Sequence, residues 1–394
     1  MLAKLTAAVP SFPQEFAHKQ ALRHASRECA HKGILTFFAH NGRNDGVGSG
    51  LPKLNLHHCC SGGKGTGFMS ASRSTLLRLA ASALLLSASV VSAAEKWDMP
   101  TAYPATNFHT LNATEFAACV NSGTNGDITI AIHPNGALFK GNDIKRAVQT
   151  GQTQIGERLM SAHENENPIF GTDSIPFLAT SYDASVKLYA AARPQFEKIL
   201  EEQGIVLLYS VPWPPQGLYF KKDVASVADM AGVKIRSYNS STAKLAEQTG
   251  MVPITIEAPE ISQALQAGVI ESLITSAVTG MDSKAWEQLS HFYTVEAWMP
   301  RNYIILNKGV WDGLADGAKS AVKDCAAKAE TAGLEKSKAS NDTALATLKQ
   351  KGMKVLVPSD AMQSQLQAIG KALTAAWLTK AGDTGKAVID AFAK

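Results

Sequence analysis

The residues best equipped for chemistry lie in the run VADMAGVKIRSYN, residues 227–239. Its alternation sets Val233 and Ile235 on one face of a short strand and Lys234 and Arg236 on the other. Arg236 falls near the strand's carboxyl end, and a polar helix start, Asn239-Ser240-Ser241-Thr242, follows at once. A guanidinium is a planar, permanently charged fork that meets a carboxylate at two points, which an ammonium cannot do. Helix-start N–H groups add positive potential beside it. The pair reads as an anion seat, although spacing alone leaves open an ordinary arginine on a strand edge.

Catalytic patterns are missing where they would be needed. Beyond residue 93 there is no G-x-S-x-G, H-E-x-x-H or G-x-x-x-x-G-K-[ST]. Ser241 to Lys244 matches S-x-x-K, but the S-D-N and K-T-G partners of that chemistry are absent, so a helix start with an exposed lysine is the simpler reading. His109, His133, His163 and His291 are widely spaced, and no Cys or His pair has metal-ligand spacing. The stretch from His163 to Asn167 reads as a solvated polar loop. Neither a cofactor nor a metal is expected.

The elements that must hold Arg236 belong to a long chain. At 394 residues it exceeds one compact core, and 45% apolar with 18% charged residues excludes disorder. The net charge of +4 divides into +7 over residues 1–93 and −3 over the remainder. A mildly acidic body gives no electrostatic support for a nucleic-acid partner.

The basic front contains an export signal. From Met69 the order is two arginines (Arg73, Arg78), a 13-residue apolar run and small residues up to Ala93 and Ala94, the layout of a signal peptide cleaved after one of these alanines. Residues 69–94 are therefore expected to direct secretion to the periplasm, and 1–68 to be a non-native, disordered upstream extension produced by a misread start codon. Past the signal only Cys119 and Cys325 remain, which allows either one bridge or two buried thiols.

From residue 95 onward, strand-like and helix-like segments alternate, the pattern of an α/β protein. Strands are expected over 96–103, 127–133, 154–159, 205–211, 233–237, 252–256, 270–275 and 353–357, with two more inside 291–311. Helices are expected over 107–120, 142–150 (capped by Asn142 or Asp143), 182–203, 242–249, 259–267, 282–289, 315–351 and 360–392. In VPWPPQGLYF, three prolines within five residues forbid helix and regular ladder pairing, so the chain crosses between units there. Two clusters of βα units then make two lobes that exchange strands, roughly 95–213 and 214–305, with the carboxyl-terminal helices shared. Facing strand ends would grip a small molecule between them.

Together, AGVKIRSYN and TGMVPITIEAPEISQALQAGVIES closely resemble the substrate-binding proteins of tripartite ATP-independent periplasmic (TRAP) transporters, DctP type, through Gly232, Lys234, Arg236, Gly250, Pro253, Glu260, Ala264-Leu265-Gln266, Gly268 and Glu271. The likeness runs upstream through AIHPNGALFKGNDIKRAVQTGQTQIGE and IPFLAT and covers nearly all of 97–394. It implies a two-lobed, Venus-flytrap periplasmic receptor with a long helix spanning both lobes. In that family the arginine of the G-x-K-x-R strand forms a two-point salt bridge with the ligand carboxylate, and Arg236 matches it. A second contact twenty residues earlier is arginine in some members and glutamine in others; here it is Gln216. After ALQ-x-G the family's usual asparagine or tryptophan is missing, and Thr275 and Ser276 stand as substitutes. With Gln216 in place of a second arginine, one carboxylate is better supported than two.

The resemblance implies a receptor that binds a small organic acid in the interlobe cleft and delivers it to a TRAP permease of one small and one large membrane subunit, driven by an ion gradient. Trp213, Tyr219, Tyr238 and Trp298 lie beside predicted strand ends, and Asn239 opens the helix next to Arg236. Two or more aromatics on the cleft wall would favour an aromatic or otherwise apolar monocarboxylate over a sugar acid. Two readings compete. A periplasmic hydrolase or lyase would need a base within reach of a nucleophile; a receptor serving a membrane sensor would lack neighbouring permease genes.

Overall fold

The computed structural model describes residues 94–394; the expected signal peptide, its start at Met69 and the upstream extension lie outside them, save Ala94. One lobe is built on a parallel pair, β1 (Glu95–Pro100) with β2 (Ile128–His133), and on an antiparallel trio in which β10 (Arg301–Asn307) lies between β3 (Ile155–Leu159) and β4 (Ile205–Pro212). Its helices are α1 (Phe108–Gly123), α2 (Gly141–Gln149) and α3 (Tyr182–Glu202). Asn107 starts α1 by accepting from the His109 amide at 2.9 Å.

The other lobe is a six-stranded sheet ordered β11-β9-β5-β8-β6-β7. Its strands are β5 (Gln216–Phe220), β6 (Lys234–Ser237), β7 (Val252–Thr255), β8 (Ser272–Ser276), β9 (His291–Tyr293) and β11 (Lys354–Leu356). The helices α4 (Ser240–Gln248), α5 (Ile261–Gln266) and α6 (Ala277–Asp282) connect them. β6 lies parallel to both neighbours, so its carboxyl end, like theirs, opens to one edge. Strand β10 returns to the first lobe, which is the strand exchange expected of the fold, and α7 (Lys308–Gly313) follows it.

Two long helices tie the lobes together. α8 (Asp316–Gln350) packs on α1 and β4 of one lobe and on α6 of the other, and Cys325 on it is bonded to Cys119 on α1. That bridge closes the alternative the sequence left open. α9 (Asp360–Ala393) buries Met362 and Leu366 in the core of the six-stranded lobe and Val388 in the core of the first. The helix kinks at Gly382, whose φ of +56° suits a residue without Cβ.

Two local expectations are corrected. α2 has no side-chain cap: its cap position is Lys140, and the Asn142 carbonyl oxygen instead accepts from the Arg158 guanidinium. Of the helix expected over 282–289 only a 3-10 turn, Ala285–Glu287, forms; the α-helix lies earlier, at α6, where Ser276 accepts from the Thr279 amide, and Lys284, at φ +51°, separates the two.

Candidate ligand-binding cleft

The chain crosses between lobes twice beside the cleft, and the crossings are bonded to each other. Trp213 N donates to Pro300 O (2.7 Å), Gln216 N to Trp298 O (2.9 Å) and Ala297 N to Gln216 O (3.0 Å). Proline-rich backbone cannot form a full ladder, so this seam stays short. Around it opens a cleft of about 510 Å³ free of atoms, its mouth included.

Arg236 lines this cleft from the end of β6 and is 5% exposed. Its Nε donates to Ile256 O at 2.8 Å, and its guanidinium carbon lies 4.9 Å from the Tyr238 ring centre. Among the described residues no carboxylate comes within salt-bridge distance of it. Burial pulls its pKa below the ordinary arginine value, because a desolvated charge without a counter-ion is costly.

Gln216, Trp213, Tyr238 and Thr275 also line the cleft. Gln216 Nε2 donates to Pro214 O (2.8 Å), and Gln216 Oε1 accepts from the Tyr238 hydroxyl (3.2 Å). The Trp213 indole N–H donates to Asn302 Oδ1 at 2.8 Å.

Asn239, Ser276 and Trp298 are not among the residues lining the cleft, and each has a structural partner. Asn239 caps α4 and sends Nδ2 to Ser161 (3.0 Å) and Ser174 (3.3 Å) of the other lobe. The helix start beside Arg236 therefore faces an interlobe seam instead of the cleft. Ser276 caps α6, and Trp298 donates to the Tyr238 hydroxyl at 2.9 Å. Tyr219 is wholly buried, its hydroxyl on Ser276 O.

Sequence reasoning missed Tyr103, Arg158, Glu257 and Thr279 on the lining. Glu257 follows β7 at the same edge as Arg236, so the strand-end signal that found one could have found the other. Arg158 had no such signal: every residue of β3 is buried, and alternation is silent there. Its guanidinium is already engaged, with Nε on His163 Nε2 (3.4 Å), Nη2 on Asn142, and Glu257 at 4.0 Å.

His163 is accordingly not in a solvated loop. It joins Glu166 at 2.9 Å, and Glu166 meets Lys145, so the stretch is a partly buried ion network. Nor is Lys244 merely an exposed lysine: it and Ser241 both reach Glu164 across the lobe interface, at 3.2 and 2.8 Å. No nucleophile–base pair arises from that S-x-x-K.

A profile of the DctP family, described as bacterial extracellular solute-binding protein, family 7, matches residues 100–380. The chain belongs to this family. Among solved structures, a marine-metagenome TRAP solute-binding protein specific for pyroglutamate is 49% identical with a TM-score of 0.75, covering 76% of this chain and 99% of its own. DctP6 of Bordetella pertussis, an extracytoplasmic receptor binding pyroglutamic acid, is 44% identical with a TM-score of 0.75 and the same coverages. The C4-dicarboxylate-binding periplasmic protein DctP of Rhodobacter capsulatus is 24% identical over 247 residues, 61% of this chain and 73% of that protein. The DctP-family chain is thus a TRAP solute receptor of two lobes that binds a small organic acid and works with a TRAP permease; it is a transport protein, not an enzyme. Family members act outside the cytoplasm, and among the described residues no helix is long and apolar enough to cross a membrane.

Proposed function

We propose that this receptor takes up a small cyclic monocarboxylate, pyroglutamate first, from the periplasm and delivers it to a TRAP permease of one small and one large membrane subunit. The observation that carries the reading is Arg236, a buried guanidinium at the cleft with no carboxylate within salt-bridge distance among the described residues. Binding an acid supplies the missing counter-charge in a two-point geometry. Arg158, the second guanidinium, is held by Asn142, His163 and Glu257, which favours one carboxylate over two.

The remaining lining suits a lactam. Glu257 can accept its N–H, while Thr275, Thr279 or the Gln216 amide can donate to its carbonyl, and Tyr103, Trp213 and Tyr238 offer flat apolar walls to its ring. The same walls supported an aromatic acid in the sequence; three solved relatives above 40% identity bind pyroglutamate, so a non-aromatic ring takes precedence. Export through the segment starting at Met69 belongs to the same proposal, and mass spectrometry of the natural amino terminus tests it.

A thermal-shift and calorimetric comparison of L-pyroglutamate, succinate, D-glucuronate and orotate decides the ligand. Pyroglutamate is expected to raise the melting temperature most, by mass action on the folded state. No response to pyroglutamate with a clear response to another acid would overturn the assignment.

A further inference from the structure

Behind the cleft wall lies a pair of titratable side chains that ligand binding, as read above, does not use. Glu157 on β3 and His109 on α1 are each 1% exposed, and the His109 Nδ1 is 3.4 Å from Glu157 Oε1. Both carboxylate oxygens and both ring nitrogens lack any hydrogen-bond partner.

A buried carboxylate in that state cannot remain charged cheaply, and neither can an imidazolium. Among the described residues no lysine or arginine comes within salt-bridge distance of Glu157. Arg301 of β10 acts on His109 but is engaged by Ser210, Ser185 and the nearby Asp173. Arg158, next to Glu157 on β3, is occupied by Asn142, His163 and Glu257. Tyr103 and Tyr209, which also face Glu157, stay neutral because burial raises both.

We propose that Glu157 and His109 together hold one proton behind the cleft, and that loss of this proton weakens binding of the ligand anion. Within the pair the proton sits on the carboxyl: burial pushes Glu157 up to about 7 and holds His109 well below the usual imidazole value. Releasing the proton leaves a negative charge close behind an anion-binding wall, which repels the ligand carboxylate.

The wall is also mechanically joined to the pair. Asn302 Oδ1 accepts from Trp213 (2.8 Å) and Tyr103 (3.3 Å), both lining the cleft, while its Nδ2 has no partner and lies beside Glu157. The His109 ring centre is 4.4 Å from that of Trp213. An ionised Glu157 would draw the Asn302 amide and move both donors with it.

The affinity effect rests on the carboxylate reading of the cleft, so the test has two independent arms. Infrared spectroscopy of the full chain labelled with 13C-glutamate, which separates Glu157 from buried Asp173, needs no ligand. A protonated glutamate band is expected near pH 6, lost by about pH 8.5 and absent from Glu157→Gln. In calorimetry with L-pyroglutamate, wild-type affinity is expected to fall about tenfold across that range, while Glu157→Gln stays flat. If Glu157→Gln does not fold, the labelled wild type and a His109→Asn profile shifted along the pH axis carry the test. Absence of the band at pH 6, or the same pH slope in wild type and Glu157→Gln, overturns the proposal. A failure of pyroglutamate to bind with the band present would sink the ligand assignment and leave the buried proton standing.

Discussion

The guanidinium of Arg236 stands 4.9 Å over the ring of Tyr238, and that tyrosine's hydroxyl donates to Gln216 while accepting from Trp298. The side chain proposed as anchor is thus oriented by residues of the six-stranded lobe and of both crossings. Arg236→Ala removes the fork without disturbing the Trp298–Tyr238–Gln216 chain. It is expected to weaken pyroglutamate binding by about 10²-fold or more, since truncating one partner of a buried charge pair costs roughly 2–5 kcal/mol. Arg236→Lys should fall between, because an ammonium keeps the charge and loses the second contact point. Unchanged calorimetric affinity in Arg236→Ala would falsify the anchor.

Closure has its own polar seam, separate from the ligand. Glu164 follows β3 in the first lobe, its side chain is 7% exposed, and its two oxygens accept from Ser241 and Lys244 on α4 of the other lobe. These bonds exist only with the lobes together. Glu164→Ala should therefore speed ligand release about tenfold with little change in association rate, the loss of one hydrogen-bonded charge. Stopped-flow traces showing the same release rate in both proteins would remove Glu164 from the closing energetics.

Much of this arrangement was legible because local rules and the tertiary structure agreed. Alternation and prolines located β2, β6 and the crossing at Pro212, and a strand-end rule found Arg236. Long-range pairing was not legible. Asn142 reads as a cap until Arg158, 16 residues on, takes its oxygen, and Asn239 reads as a cleft residue until Ser161 and Ser174 of the other lobe claim its amide. The Cys119–Cys325 bond joins helices 206 residues apart, a proximity that no local spacing encodes.

His163 makes stability depend on pH with a definite sign. Burial, then the Arg158 charge, lower its pKa from 6.5 to about 4. Between those values the unfolded chain binds a proton that the folded one refuses, so this contribution is complete above about pH 6.5 and is lost as pH falls toward 4. Because Glu157 and Asp173 titrate in the opposite sense, the useful quantity is the difference in melting temperature between wild type and His163→Asn. Acidification from pH 7 to about 4.5 should shift that difference against the wild type. A pH-independent difference would mean that His163 does not carry the linkage.

The disulfide offers the last test, one of the fold alone. Cys119 and Cys325 fasten α1 to α8, the helix that also reaches α6 of the second lobe. Opening this bond frees a loop of 206 residues in the unfolded chain, which lowers stability by about 2–4 kcal/mol. The paired variant Cys119→Ala, Cys325→Ala should melt several degrees below the wild type, and a reductant should lower the wild type toward it without affecting the variant. Equal melting temperatures for wild type and variant under oxidising conditions would show that the bond contributes nothing to holding α1 on α8.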